Sequence, residues 1–459
     1  MNGVISFGTD GWRATLEEFT EPRLRRVGQA VATYLDEEGR EGAVAVGYDA
    51  RESSPGFAHA LAETLSEAGR DVLLPERDRP TPLVAFAIVD RDLAGACMIT
   101  ASHNPPEYNG VKFIPDDGAP ALPEVTDAIE SRLAEPEPLP EEEWGSIEEV
   151  DLVTPHAEHS MDLVDTDGIE GLTLGYDAIH GSGRGVTDAL LERVGASVER
   201  LRCDDDPTFG GVSPEPTEEN LTDLTELVRD GEADLGVAND GDADRIAVVT
   251  PERGPLSANL LYAALYDYLL ESDSGPAIRT VSTTFLIDRV AEASGEEAIE
   301  VPVGFKWVAQ AMAEHDALIG GEESGGFSIR GHVREKDGVL IALLAAAAHA
   351  AEPLDDRVDR LLAEHGEIHQ GRVSVECPEE RKAGVLSALV SDVPQDVAGG
   401  TVMRVNDADG VKLLLGDGSW LLVRPSGTEP VIRIYAEAES EARVEELLAG
   451  GRSLVTDRV

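Results

Sequence analysis

Residues 94–113 read AGACMITASHNPPEYNGVKF. The first seven are small or apolar without alternation, the pattern of a strand buried on both faces, as in a parallel sheet. The run then breaks into a polar loop. Pro105 and Pro106 forbid helix there, and the loop puts the hydroxyl of Ser102 in the open beside His103. Ligands of open α/β sheets bind beyond the carboxyl ends of the strands. One stretch therefore predicts an α/β sheet and a candidate site at its edge. The serine does not sit in GxSxG, which argues against a hydrolase elbow. An ordinary turn is the plain alternative for this loop taken alone.

Working outward, the alternation of short apolar runs and amphipathic stretches continues. Residues 43–46 predict a strand. Ser53, Ser54 and Pro55 then offer a cap and a first-turn proline, and Gly69 a helix end. The letters GYDA at 47–50 return at 175–178, which points to duplicated α/β units. Strands are also expected at 172–174, 234–238 and 316–319. Residues 135–149 (EPEPLPEEEWGSIEE) read as a linker. From 371 onward the order β-α-β-β-β-α, with helices near 380–391 and 440–450, predicts a separate α+β domain. A chain of 459 residues suits three or four domains of about 100–150 residues.

Three more loops carry chemistry. Residues 240–245 read DGDADR; Asp240, Asp242 and Asp244 alternate so that three carboxylates can meet one hard cation. An EF-hand is excluded, because Arg245 stands at its glycine position and Pro251 at its closing glutamate. Arg245 beside a cation suits a phosphate bridging the two. Residues 320–326 (GGEESGG) combine backbone access with acceptors for sugar hydroxyls. Residues 424–430 (RPSGTEP), with Arg433 beyond, form a compact anion cradle. A solvated acidic turn, a Gly-rich turn and a β-turn with an exposed arginine are the respective alternatives. Together the four loops describe phosphoryl transfer: a nucleophile, a cation site, sugar acceptors and a phosphate clamp.

Composition narrows the setting. Ninety acids against 37 bases give a net charge of −53. Such a field repels nucleic acid and anionic membranes, and no apolar run of about 18 residues offers a membrane span. At about 1 M salt the Debye length is about 3 Å, so the acids would hardly sense one another; a cytoplasm of molar salt is the expectation. The lysines are few: Lys112, Lys306, Lys336, Lys382 and Lys412. Three of them fall in or beside the chemical loops. Cys97, Cys203 and Cys377 are far apart and odd in number, which suits a reducing compartment and argues against disulfides and zinc. No basic segment leads into a long apolar run near Met1, so no signal peptide is expected.

In this order, FGTDGWR (7–13), TASHNP (100–105), DGDADR and RPSGTEP resemble the α-D-phosphohexomutases, the phosphoglucomutase/phosphomannomutase family. The resemblance covers essentially the whole chain. It implies three similar α/β domains plus a C-terminal α+β domain around a central cleft, here divided as 1–154, 155–254, 255–369 and 370–459. It implies Ser102 as a phosphoserine and Asp240, Asp242 and Asp244 as ligands of Mg²⁺ together with that phosphoserine. Arg13, His103, Lys112 and Arg245 match groups around the transferring phosphoryl, with Lys112 the first candidate base and His103 the second. Glu322 and Ser324 match sugar-hydroxyl contacts; Arg424, Ser426, Gly427 and Thr428 match the distal phosphate site.

Some family members carry histidine where Gly326 stands. In its place Lys336, in HVREKDG (332–338), is expected near the reacting groups, and Gly304 and Lys306, in GFKW (304–307), near the sugar. These segments are phosphoglucomutase-like. The resulting expectation is a mutase interconverting hexose 1- and 6-phosphates, glucose first, through a hexose 1,6-bisphosphate. Phosphomannomutase and phosphoglucosamine mutase are the alternatives within the family. A metal-dependent sugar phosphatase would not need the second phosphate clamp. A non-catalytic sugar-phosphate-binding protein would not need an intact serine and three aspartates.

Overall fold

The computed structural model describes residues 5–8, 11–426 and 430–458. Its four sheets follow one another along the chain. In the first, Val44–Tyr48 lies between Val72–Leu74 and Gly95–Ile99, parallel to both. The chain then turns back so that Tyr108–Pro115 runs antiparallel to Gly95–Ile99. The second sheet repeats this: Thr173–Asp177 is parallel to Ser197–Leu201 and Leu235–Asn239, and Ile246–Thr250 turns back on the latter. The third does so again with Ala277–Thr280, Ala298–Val301, Ile319–Gly321 and the returning Phe327–Ile329. The GYDA echo falls on the central strand of the first two copies.

Helices Ser54–Glu67, Thr187–Arg193 and Leu286–Ala293 make the first crossover of each unit; Thr81–Arg91, Thr222–Arg229 and Phe305–His315 make the second. Every residue of Val44–Tyr48, Gly95–Ile99 and Leu235–Asn239 is buried, as the lack of alternation predicts. In each unit the strand order reverses between the first and third strands, which opens a ligand crevice at the carboxyl edge. The three loops 100–107, 240–245 and 322–326 occupy the same hairpin in the three units. That repetition is why they can meet.

The fourth sheet is antiparallel and carries helices Glu379–Ser391 and Glu441–Thr456. His369–Glu376 alternates half-buried and exposed residues along its length. This domain has one long strand more than expected, since Gly400–Asn406, Val411–Leu415, Trp420–Pro425 and Val431–Ala438 all lie between the helices, together with the two-residue Asp396–Val397.

Two local expectations change. The linker at 135–149 ends in a strand, Ile147–Glu149, which pairs parallel with Val72–Leu74 and belongs to the first sheet. Ser53 makes no capping hydrogen bond; its Oγ accepts from Asn109 Nδ2 at 2.8 Å. The apolar helix Gly338–Ala351 is buried through most of its length. Among the described residues no single helix is long and apolar enough to cross a membrane.

Candidate active site

Ser102 is 1% exposed and holds φ +51°, a left-handed conformation uncommon for a residue with a Cβ. Its Oγ donates to Asp240 Oδ2 at 2.9 Å and lies 3.3 Å from His103 Nδ1. The hairpin of the second unit supplies Asp240, which passes directly beneath the first. A Cβ added to Gly241 would meet the Ser102 carbonyl at 2.7 Å, so this approach requires glycine.

Asp240, Asp242 and Asp244 are buried, and one oxygen of each lies within 4.8 Å of the others. Asp242 Oδ1 and Asp244 Oδ1 have no hydrogen-bond partner among the described residues. Buried carboxylate oxygens left bare are costly. They fit a hard cation that prefers oxygen ligands, such as Mg²⁺. Burial and the charges of Asp244 and Asp242 push the Asp240 carboxyl well above the usual range. Burial acts the same way on Asp242, but Lys112, Thr81 and Arg13 outweigh it and hold that carboxyl below the usual range.

Cations ring the carboxylates. Lys112 Nζ is 3.2 Å from Asp242 Oδ2 and 3.1 Å from Asp244 Oδ2. Lys336 Nζ reaches the same Asp244 oxygen at 3.0 Å. Lys112, the first candidate base, thus has carboxylates among its immediate neighbours. Arg245 stacks its Nε 3.9 Å from Asp244 Oδ1, and Arg13 Nη1 bonds Asn104 Oδ1 at 3.4 Å in the serine loop.

The third hairpin closes the site. Glu322 is 9% exposed, and its Oε1 accepts from Gly304 N at 3.0 Å. Burial raises its carboxyl to about 6, against the pull of Lys336. Ser324 is exposed at the hairpin tip. Lys306 is half-buried with its ammonium 5.9 Å from the Trp307 ring centroid.

The clamp joins through one aspartate. Asp409 Oδ2 accepts from Arg424 Nε at 2.7 Å and from Val303 N at 3.0 Å. A hydrogen-bonded path therefore runs from Glu322 through Gly304 and Val303 to Arg424. Arg433 stands opposite Arg424 on the paired strand. Ser426 is buried and its carbonyl accepts from Lys382 Nζ at 2.7 Å. Gly427 and Thr428 lie outside the described residues.

Family models of the phosphoglucomutase/phosphomannomutase alpha/beta/alpha domains I, II and III match residues 4–139, 154–254 and 257–365, and that of the C-terminal domain matches 373–450. The chain belongs to the phosphoglucomutase/phosphomannomutase family. It is thus a mutase, a phosphotransferase acting as an isomerase.

The chain is 36% identical to a "Probable phosphoglucosamine mutase" of Methanopyrus kandleri, over 96% of this chain and 95% of the relative. It is 33% identical to a "Phosphoglucomutase/phosphomannomutase" of Thermococcus kodakarensis, over 98% of each. A "Phosphopentomutase" of the same organism is 33% identical, over 98% of this chain and 97% of the relative. Among solved structures, one from Thermus thermophilus assigned as a phosphomannomutase superposes with a TM-score of 0.87 at 33% identity, over 99% of this chain and all of that one.

Within this phosphohexomutase, several site residues escaped the sequence reading. Thr81 Oγ1 donates to Asp242 Oδ2 at 2.7 Å, yet it looks like any helix-start threonine. Asp409 sits in an acidic turn like many others. Lys382 lies far from the clamp in sequence. Asp49 lies in the first GYDA copy and Arg51 directly after it, whereas the second copy is followed by Ile179, so the echo points to duplication and not to the site.

Proposed function

We propose that this chain interconverts hexose 1-phosphate and hexose 6-phosphate through phosphorylated Ser102 and a hexose 1,6-bisphosphate. The observation that carries the reading is the 2.9 Å bond from Ser102 Oγ to Asp240, at the edge of three converging buried carboxylates. Asp240, Asp242 and Asp244 would hold Mg²⁺, which supplies positive charge against the transferring phosphoryl group. Lys112, Lys336, Arg13 and Arg245 add cationic charge around the same point. Phospho-Ser102 gives its phosphoryl to a free sugar hydroxyl, whose proton passes to Lys112 or to His103, and Ser102 recovers a phosphoryl from the other end of the bisphosphate. Glu322 and Ser324 receive sugar hydroxyls, with Gly304 and Lys306 beside them. Arg424, Ser426 and Arg433, with Gly427 and Thr428 by family resemblance, hold the phosphate that is not being transferred.

Glucosamine phosphate ranks first as substrate, ahead of the glucose phosphate favoured from the motifs. Support comes from relatives named phosphoglucosamine mutases, at 36% and 35% identity. Glu322 and Glu323 both belong to the sugar loop, and carboxylates there suit a C2 ammonium; Glu323 is held by Ser282 Oγ at 2.7 Å and Thr280 Oγ1 at 3.1 Å. The deciding experiment compares glucosamine, glucose and mannose phosphates side by side, with ribose phosphate as a fourth. The highest kcat/KM for glucosamine 1-phosphate is expected; a higher value for glucose restores the first expectation. Intact-mass analysis of wild type and Ser102→Ala tests the carrier. An undiminished rate in Ser102→Ala ends the phosphoserine reading.

A further inference from the structure

Arg51 is 1% exposed and uses every N–H it has. Nε donates to Asp49 Oδ2 at 2.9 Å. Nη1 donates to the carbonyls of Pro105 at 2.7 Å and Tyr108 at 3.2 Å. Nη2 donates to the carbonyls of Ser102 at 2.7 Å and Asn104 at 2.6 Å. Five donors meet five acceptors, the full capacity of a guanidinium. Four of these acceptors are backbone oxygens of the serine hairpin.

Asp49 is likewise saturated. Oδ1 accepts from Ser54 Oγ at 2.5 Å and Arg51 N at 3.2 Å. Oδ2 accepts from Thr100 Oγ1 at 2.7 Å as well as from Arg51. Thr100 Oγ1 in turn accepts from Ser102 N at 2.7 Å. The peptide groups on both sides of Ser102 Cα are therefore tied, one through Thr100 and one through Arg51. Phe209 of the second unit covers the guanidinium, 5.2 Å from ring centroid to Cζ.

A left-handed conformation at a residue with a Cβ is strained and persists only where surroundings over-determine it. Here the surroundings are visible, and they fix the direction of one hydroxyl. We propose that Asp49, Arg51 and Thr100 are positioning residues that hold Ser102 at φ +51°, so that its Oγ faces Asp240, and thereby set the rate of phosphoryl transfer rather than the binding of sugar or metal. The proposal rests on Ser102 being the phosphoryl carrier. Transfer needs the reacting oxygen placed within a fraction of an ångström, so a loosened hairpin lowers kcat and leaves KM nearly unchanged.

The test compares Thr100→Val, Thr100→Ser and Arg51→Lys with wild type in molar KCl. Each is assayed with the best of the hexose 1-phosphates, and rates are divided by the folded fraction from thermal melts. Thr100→Val is expected to lower kcat at least 30-fold, with KM for the sugar phosphate and the half-saturating Mg²⁺ concentration each within threefold. Thr100→Ser keeps the hydroxyl and should return kcat to within threefold of wild type. Arg51→Lys, which can satisfy at most three of the five acceptors, should fall with Thr100→Val. A kcat per folded molecule within threefold of wild type in Thr100→Val overturns the proposal, as does failure of Thr100→Ser to recover. Ser102→Ala runs alongside: if it stays active the carrier reading fails, whereas an inactive Ser102→Ala with an active Thr100→Val defeats only the positioning.

Discussion

Lys336 lies across the α-carbon of Gly326. A Cβ built there would meet Lys336 Cδ at 2.4 Å and Cγ at 2.8 Å. The missing side chain at 326 is thus the space through which the lysine stem passes before its ammonium reaches Asp244 at 3.0 Å. Glycine at 326 and lysine at 336 form one arrangement.

That relationship makes Gly326→Ala an informative change, because one methyl tests the path of the lysine stem. The added methyl must push the stem aside and take Nζ off Asp244. We expect kcat to fall about 10-fold or more, and Lys336→Met to cost about 10²-fold, the usual range for removing a positioned acid–base or electrostatic group. Steady-state kinetics check both. A Gly326→Ala enzyme at wild-type rate would mean that the lysine can reach its place by another path.

The carboxylate triad predicts strict metal dependence. Chelation should abolish isomerisation, and added Mg²⁺ should restore it. Asp244→Asn exchanges one of the two carboxylate oxygens for an amide nitrogen and removes the negative charge that faces both Lys112 and Lys336. Its half-saturating Mg²⁺ concentration should rise at least 10-fold while the melting temperature changes little. An unchanged metal requirement would remove Asp244 from the ligand set.

The sequence exposed much of this because the chemistry is local in it. Asp240, Asp242 and Asp244 share one hairpin, and Ser102 lies in the loop just after a strand whose apolar run is unmistakable. Each of these loops follows an apolar run, which by itself places it at the carboxyl edge of a sheet. What stayed hidden is long-range. Thr81 meets Asp242 across 161 positions of chain, and Arg424 meets the Gly304 loop only through Asp409. The extra strand of the last domain stays hidden because Gly400–Asn406 is mostly exposed or half-buried and carries no continuous apolar run.

A second cluster predicts acid sensitivity. Asp337 Oδ2 is 2.6 Å from His156 Nε2 and 2.8 Å from His332 Nε2, while its Oδ1 caps the helix Gly338–Ala351. His332 also stacks on Phe86 and His159. Burial pulls the His332 imidazole below its ordinary value, against the opposing hydrogen bond and charge of Asp337, and pulls His159 down as well. A depressed histidine binds its proton more readily in the unfolded chain. Folding stability is therefore whole above about pH 6.5 and declines as pH falls below it. Asp337 is depressed too, but its contribution is lost only below the ordinary carboxylate range, outside that window. Denaturant titrations at pH 7.5 and 5.5 in constant salt should show wild type losing more stability than His332→Asn. Equal losses would dissociate the cluster from the acid response.

The net charge of −53 makes salt the last test. Four of the five lysines, Lys112, Lys336, Lys382 and Lys412, are buried, and each is paired with carboxylates. Lys412 is the extreme case: its ammonium bonds Glu300 Oε2 at 2.6 Å and lies 4.4 Å from the Phe285 and Trp420 ring centroids. The fifth, Lys306, is half-buried. Lysine has thus been withdrawn from the surface and kept where an ammonium has a partner, while exposed acids such as Glu141, Glu142 and Glu143 stand close together. At about 0.1 M salt the Debye length is about 10 Å, long enough for such neighbours to repel. Buried pairs are screened far less, so added salt should relieve the surface without loosening Lys112 or Lys336. The melting temperature is expected to rise by tens of degrees between about 0.1 M and about 2 M KCl, with activity retained at the higher concentration. A melt that is the same in both buffers would show that the surface acids are tolerated without screening, and would sink the expectation of a molar-salt setting.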